Sequence, residues 1–275
     1  MFSKLATTVV FLSSFTSVAL SHSFVQQIWA NGVHYDGWDA NGDLSAYPST
    51  TPAWFTANRG GGPINPFELR DPMIICARGG SNANTSAPVS PGTDVRVRWW
   101  MAGQTWPRGH HGPVIDYIAP CNGPCSKVDM TTLKFVKIAQ RGWIDSSDPG
   151  NDGEGNWATD LIIDNDGQWN IRIPSGLAPG EYVLRHELVA LHPAGKSTGP
   201  YSKEGAEFYP QCINLKVTGS GTKQVTGGVD ARTLYTGGEP GFMLNIHETG
   251  PSHPDYVVPG PAVWSGALTA RSFEA

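Results

Sequence analysis

Glu181-Tyr-Val-Leu-Arg-His-Glu-Leu-Val-Ala-Leu191 is the stretch on which the fold turns. It is apolar at odd and even positions alike, as a central sandwich strand buried on both faces would be. On either side of it, shorter runs alternate apolar and polar residues between turn clusters. They are Val95-Arg-Val-Arg-Trp-Trp-Met101, Pro113-Val-Ile-Asp-Tyr-Ile-Ala119, Leu133-Lys-Phe-Val-Lys-Ile138, Gln168-Trp-Asn-Ile-Arg-Ile173 and Cys212-Ile-Asn-Leu-Lys-Val217. No stretch holds a helical period for twelve residues. Many short strands between regular turns predict an all-β fold, a β-sandwich.

Two segments carry few strand signals. Residues 31–70 are rich in Gly, Pro, Asn and aromatics, and a loop of that length in a compact domain is more often functional than idle. The stretch after Gly219 is similar and shows no second strand-rich core. No Ser/Thr/Pro linker precedes it, so residues 22–275 read as a single domain whose tail wraps its surface, with no appended carbohydrate-binding module.

The chain opens Met1-Phe-Ser-Lys4 and then runs uncharged from Leu5 to Leu20. One basic residue, an apolar stretch and small residues at the end make a secretion signal over residues 1–21. A spanning helix would need about 20 strongly apolar residues, and Thr7, Thr8, Ser13, Ser14, Thr16 and Ser17 dilute this run too far. Cleavage after Ala19-Leu20-Ser21 leaves His22 first, whereas cleavage after Ser17-Val18-Ala19 leaves Leu20 first. Removing 21 of the 275 residues, Lys4 among them, leaves 254 and takes the formal charge from −5 to −6. That acidic balance argues against nucleic-acid and anionic-membrane partners.

Four cysteines behind a signal indicate two disulfides made in an oxidising compartment. Cys121 and Cys125 flank a tight Asn-Gly-Pro turn suited to a local bridge, and Cys76 and Cys212 would then close a long loop. The other reading, four thiolates on one metal ion, lacks its usual paired two-residue spacers. Asn84-Thr85-Ser86 is a glycosylation sequon in a polar loop. The acidic run Asp145-Ser-Ser-Asp-Pro-Gly-Asn-Asp-Gly-Glu154 lacks the alternation of a calcium loop and reads as solvated carboxylates.

The histidines say more. His110 and His111 precede one strand, His192 follows the long one, and Glu207 opens another. Period-two alternation puts Glu207 and Tyr209 on one face of that strand and Cys212 on the other. Each residue alone reads blandly, as a turn histidine, a half-buried tyrosine or a charged edge. A first-residue His22 changes this, because its free amine and its imidazole can hold one ion together. Adding the His110 ring gives three nitrogen donors, a set that suits Cu(II).

Five blocks then carry a resemblance. His22-Ser-Phe-Val-Gln-Gln-Ile-Trp-Ala-Asn-Gly-Val33, His110-His-Gly-Pro-Val-Ile-Asp-Tyr-Ile-Ala119 and Pro179-Gly-Glu-Tyr-Val-Leu-Arg-His-Glu-Leu-Val-Ala-Leu-His192 are three of them. Gly205-Ala-Glu-Phe-Tyr-Pro-Gln-Cys212 and the stretch from Pro251 to Trp264 complete the set. In this order, over almost the whole mature chain, they resemble the fungal lytic polysaccharide monooxygenases of auxiliary activity family 9, formerly glycoside hydrolase family 61.

The resemblance implies an immunoglobulin-like, fibronectin type III-like β-sandwich with long surface loops. It implies a secreted, extracellular, monomeric enzyme holding one copper ion and cleaving β-1,4-glycosidic bonds of cellulose or a related β-glucan. Hydrogen removal at C1 or C4 would use O2 or H2O2 and an external electron donor, either a small reductant or a secreted dehydrogenase. A non-catalytic copper- or carbohydrate-binding protein on the same scaffold is the alternative. By motif position, His22 and His110 would hold the metal, with Tyr209 at a weak axial place. His192 would hydrogen-bond oxygen species and Tyr256 would stack, exposed, on sugar. The pairings Cys76–Cys212 and Cys121–Cys125 also follow the family. Where most members carry Gln before Phe-Tyr, this chain has Glu207, which can only accept hydrogen bonds when ionised but can donate when protonated. A buried Glu207 with a raised pKa is therefore expected beside Tyr209.

Overall fold

Alternating β-branched and aromatic residues place most of the strands. The computed structural model describes residues 23–48, 50–195 and 205–267, so the signal segment and His22 lie outside the described residues. The strands there are β1 (Phe24–Ala30), β2 (Val33–Asp36), β3 (Ala87–Val89), β4 (Asp94–Trp100), β5 (Val114–Pro120) and β6 (Val136–Arg141). After them come β7 (Trp143–Asp145), β8 (Asn156–Trp157), β9 (Gln168–Arg172), β10 (Gly180–Ala190) and β11 (Glu207–Val217). Three short helices, α1 (Met73–Cys76), α2 (Ala158–Asp164) and α3 (Ile246–Thr249), lie in the connections. None is long and apolar enough to cross a membrane.

One sheet has the order β2-β1-β4-β9 and the other β3-β11-β10-β5-β6, while β7 and β8 form a separate hairpin. The two larger sheets face each other as an immunoglobulin-like sandwich. Val95, Val97 and Trp99 from β4 meet Leu184 and Leu188 from β10, with Ile213 and Leu215 from β11, in a core closed to solvent. The opposite face of the five-stranded sheet is covered too. Ile115, Val183, Val189 and Phe208 pack there against Ile74 and Ile75 of α1 and against Tyr235, Phe242 and Val258 of the C-terminal stretch. That second cover explains why β10 is apolar at both parities, where a sheet with one wet face would alternate.

Two buried polar groups inside these layers are matched closely. On the covered outer face, Arg185 Nη1 donates to Glu187 Oε2 at 2.8 Å, and the Tyr235 hydroxyl donates to the same carboxylate. Removing one partner of such a buried pair typically costs about 3–5 kcal/mol. On the inner face, Trp99 Nε1 donates to His186 Nε2 at 2.9 Å. An indole N–H can only donate, so the His186 proton sits on Nδ1, 2.6 Å from Asp116 Oδ1.

Disulfides join Cys76 to Cys212, linking α1 to β11, and Cys121 to Cys125, just past β5. One expected strand shifts: Leu133 and Phe135 turn into the outer cluster before the ladder starts, so β6 begins at Val136.

Candidate functional site

Because β5, β10 and β11 are adjacent and antiparallel, the start of β5, the end of β10 and the start of β11 meet at one end of the sheet. Val114 pairs with Leu188 and Ala190 with Glu207. His110, His192 and Glu207 sit on these three termini, and each offers a ligand atom within 4.8 Å of the others. The rings of His110 and His192 are 4.0 Å apart between centroids, tilted by 33°. His192 Nε2 is 3.8 Å from Glu207 Oε2, with side-chain exposures of 29% and 17%.

Tyr209, two residues along β11, points to the same face as Glu207 and belongs to the inner core, whereas Cys212 belongs to the outer one. Its hydroxyl donates to Glu207 Oε2 at 2.6 Å. Burial pushes the Glu207 carboxyl above its ordinary 4.5, and the Tyr209 hydrogen bond offsets this only in part. Burial, reinforced by the nearby Glu207 charge, raises the Tyr209 phenol well above 10, so it remains a neutral donor.

Trp106, a residue the sequence reading passed over, holds the cluster from below. Its Nε1 donates to the His110 carbonyl at 2.9 Å, and its ring meets Tyr209 edge-on at 4.8 Å and Trp99 at 5.5 Å. Gly112 supplies the close approach behind His110 and His111. A Cβ there would lie 2.0 Å from the Val189 carbonyl oxygen, so only glycine lets this loop reach β10. The described chain begins beside the same loop: Phe24 pairs with Trp100, from which Met101 and the turn to Gln104 lead to Trp106 and His110.

Two expectations are corrected. The acidic run 145–154 is solvated only in part: Asp145, Asp148 and Asp152 are exposed, but Glu154 is buried. The run is the turn of the β7–β8 hairpin, and it folds onto buried His111, whose Nδ1 and Nε2 lie 2.8 Å from Asp160 Oδ2 and Asp152 Oδ2. Burial lowers the His111 pKa, but the Asp160 and Asp152 contacts outweigh it and raise it to about 9. Tyr256 is half-buried, not exposed. Its ring meets Trp157 edge-on at 4.8 Å, its hydroxyl points inward to the Gly241 carbonyl, and burial holds the phenol far above its usual range. The expected glycosylation position, Asn84, is exposed. His247, which carried no expectation, reaches the His192 carbonyl through Nε2 at 2.7 Å.

Two imidazoles and a carboxylate in one half-exposed cluster are a donor set for a first-row divalent ion, and nitrogen-rich sets suit Cu(II). Similarity to known proteins points the same way. The model of the family described as Auxiliary Activity family 9 (formerly GH61) matches residues 22–256. The chain is 41% identical over 255 residues to "AA9 family lytic polysaccharide monooxygenase F" of Malbranchea cinnamomea, covering 93% of this chain and 96% of the relative. It is 43% identical over 267 residues to "AA9 family lytic polysaccharide monooxygenase A" of Penicillium parvum, covering 96% and 99%. The structure aligns with the extended catalytic domain of H. jecorina LPMO9A at a TM-score of 0.77 and 38% identity, over 89% and 92% of the two chains.

Proposed function

The chain belongs to auxiliary activity family 9 and is with it a copper-dependent oxidoreductase that cleaves polysaccharide, and on that premise we propose that it acts outside the cell on the β-1,4-glycosidic bonds of cellulose or a related β-glucan. The mature protein is a single domain beginning at His22, released by removal of residues 1–21. The residues that would hold its copper are His22, through amine and ring, and His110, through its ring, with the Tyr209 hydroxyl close by. The observation that carries this reading is the convergence of His110, His192, Glu207 and Tyr209 on one end of a rigid sheet.

Bound copper supplies one-electron chemistry with O2 or H2O2, leading to hydrogen loss at C1 or C4 of the sugar, and an external donor provides the electrons. The protein's share is placement. Trp106 fixes the His110 backbone and the Tyr209 ring. His192, stacked on His110, presents a half-exposed imidazole to the same side, where it can hydrogen-bond a co-substrate. Glu207 takes the Tyr209 proton donor at one oxygen, and in its protonated form it has a donor of its own to offer. Tyr256, half-buried beside Trp157, would offer sugar only the part of its ring left open to solvent.

Copper-loaded protein incubated with cellulose and ascorbate tests the proposal. Oxidised oligosaccharides seen by mass spectrometry support it. Tight copper binding without products makes the chain a non-catalytic binder instead, and unoxidised sugars released without reductant make it a hydrolase.

A further inference from the structure

Behind the cluster of His110, the structure brings a second constellation together. His111 is buried, and its two ring nitrogens face opposite ways, Nδ1 to Asp160 Oδ2 and Nε2 to Asp152 Oδ2, each at 2.8 Å. Glu154 Oε2 lies 3.7 Å from the same Nε2. The Glu154 side chain is only 8% exposed, and its Oε2 has no hydrogen-bond partner, while Oε1 is taken by His247 Nδ1. A buried carboxylate oxygen left without a donor is costly, and this one is aimed at the point where the His111 and Asp152 ligand atoms converge.

We propose that His111 Nε2, Asp152 Oδ2 and Glu154 Oε2 form a binding site for a divalent cation of the zinc type, separate from the site at His110. The three atoms lie within 4.8 Å of one another, with His111–Asp152 and His111–Glu154 separations of 2.8 and 3.7 Å. An ion held at about 2.0–2.2 Å in tetrahedral geometry needs ligand atoms about 3.4 Å apart, a value between those two separations. One imidazole and two carboxylates favour zinc over calcium, which takes oxygen ligands only. Asp160 completes the pattern: a carboxylate on the far nitrogen of a metal-bound histidine fixes its tautomer and orientation. It is itself pinned by the Trp157 backbone N–H at 2.9 Å.

The charges agree. Asp152, Glu154 and Asp160 surround one histidine; Arg108 reaches Asp160 Oδ1 at 3.5 Å, and the His247 ring meets Glu154. A cation at His111 Nε2 would replace the proton shared with Asp152 and give Glu154 Oε2 its missing partner. The Asp152 side chain, 30% exposed, leaves a way in from solvent. Such an ion would tie the β7–β8 hairpin to the residue next to His110.

The test is a cobalt titration of the copper-loaded protein, with metal per chain counted by elemental analysis and the copper followed by EPR. One Co2+ should be retained alongside copper, with the visible absorption of a low-coordinate site and an unchanged copper signal. Asp152→Asn and Glu154→Gln should each weaken cobalt binding at least about tenfold. Asp152 lies on a loop, so its variant keeps the comparison available if Glu154→Gln does not fold. Failure to retain extra cobalt, cobalt that merely displaces copper, or binding indifferent to Asp152 would each overturn the proposal. The dependence on Asp152 is read in the same way if the protein holds no copper, so this result stands apart from the assignment at His110.

Discussion

Tyr209 and Glu207, two residues apart on one face of β11, share a hydrogen bond of 2.6 Å that runs from phenol to carboxylate. A glutamine at 207 would offer both a carbonyl and an amide donor there. The glutamate has a donor to spare only while it is protonated. Its carboxyl is buried and its pKa lies above 4.5, so the protonated form persists to higher pH than on a surface carboxylate.

Oxidative activity should therefore fall as pH rises through the raised Glu207 pKa, since deprotonation removes the donor. The Glu207→Gln variant should lose that descending limb and keep its activity at the upper end. Rates of oxidised-product release across the pH range, for parent and variant side by side, decide it, and superimposable profiles would remove Glu207 from the chemistry.

A second prediction separates two donor sets for copper. If the His22 amine is a ligand, one extra residue ahead of it should weaken copper binding at least about tenfold. If copper instead sat on His110, His192 and Glu207, whose ligand atoms converge within 4.8 Å, the extension would change nothing. Calorimetric titration of the two mature forms, with Cu(II) EPR on each, distinguishes them.

His111 should make the metal-free protein less stable toward alkaline pH. Its folded pKa of about 9 lies above the ordinary 6.5, so the folded state holds the proton more tightly. The stabilisation is complete below pH 6.5 and is lost as pH rises through 9. Burial offsets part of the shift, and the span corresponds to about 3 kcal/mol. Urea midpoints from pH 6 to 9 should decline in the parent and stay flatter in His111→Gln.

The two disulfides should contribute unequally. Cys76–Cys212 spans a sequence separation of 136 and Cys121–Cys125 one of 4. On the chain-entropy relation these are worth about 5 and about 2 kcal/mol. Thermal unfolding of Cys76→Ser/Cys212→Ser and Cys121→Ser/Cys125→Ser should rank in that order.

Much of this was legible where the signal was local or periodic. The double parity of Glu181–Leu191 announces a strand covered on both sides, and alternation alone puts Glu207 and Tyr209 opposite Cys212. What escaped depends on contacts far apart in sequence. The partnership of His111 with Asp160 spans 49 residues, and nothing in the Gly- and Asp-rich run 145–154 says that β7 and β8 will fold it back as a hairpin. Tyr256 was misjudged for the same reason: what covers it is Trp157, about a hundred positions earlier. Trp106 carried no motif of its own, and only its place below both His110 and Tyr209 gives it a role.

The strand β10 runs between two unlike ends. At its start, Glu181 receives the backbone N–H of Cys121, beside the Cys121–Cys125 bridge, and just past its end lies His192. Its 11 residues hold these ends about 35 Å apart. A catalyst that generates a strong oxidant suffers wear, and here wear should begin where the work is done. Peptide mapping of spent enzyme should find added oxygen on Trp106, His110 and Tyr209 while the far end remains chemically untouched. The protein should then go blunt before it comes apart, losing turnover while its melting transition is still close to that of fresh enzyme.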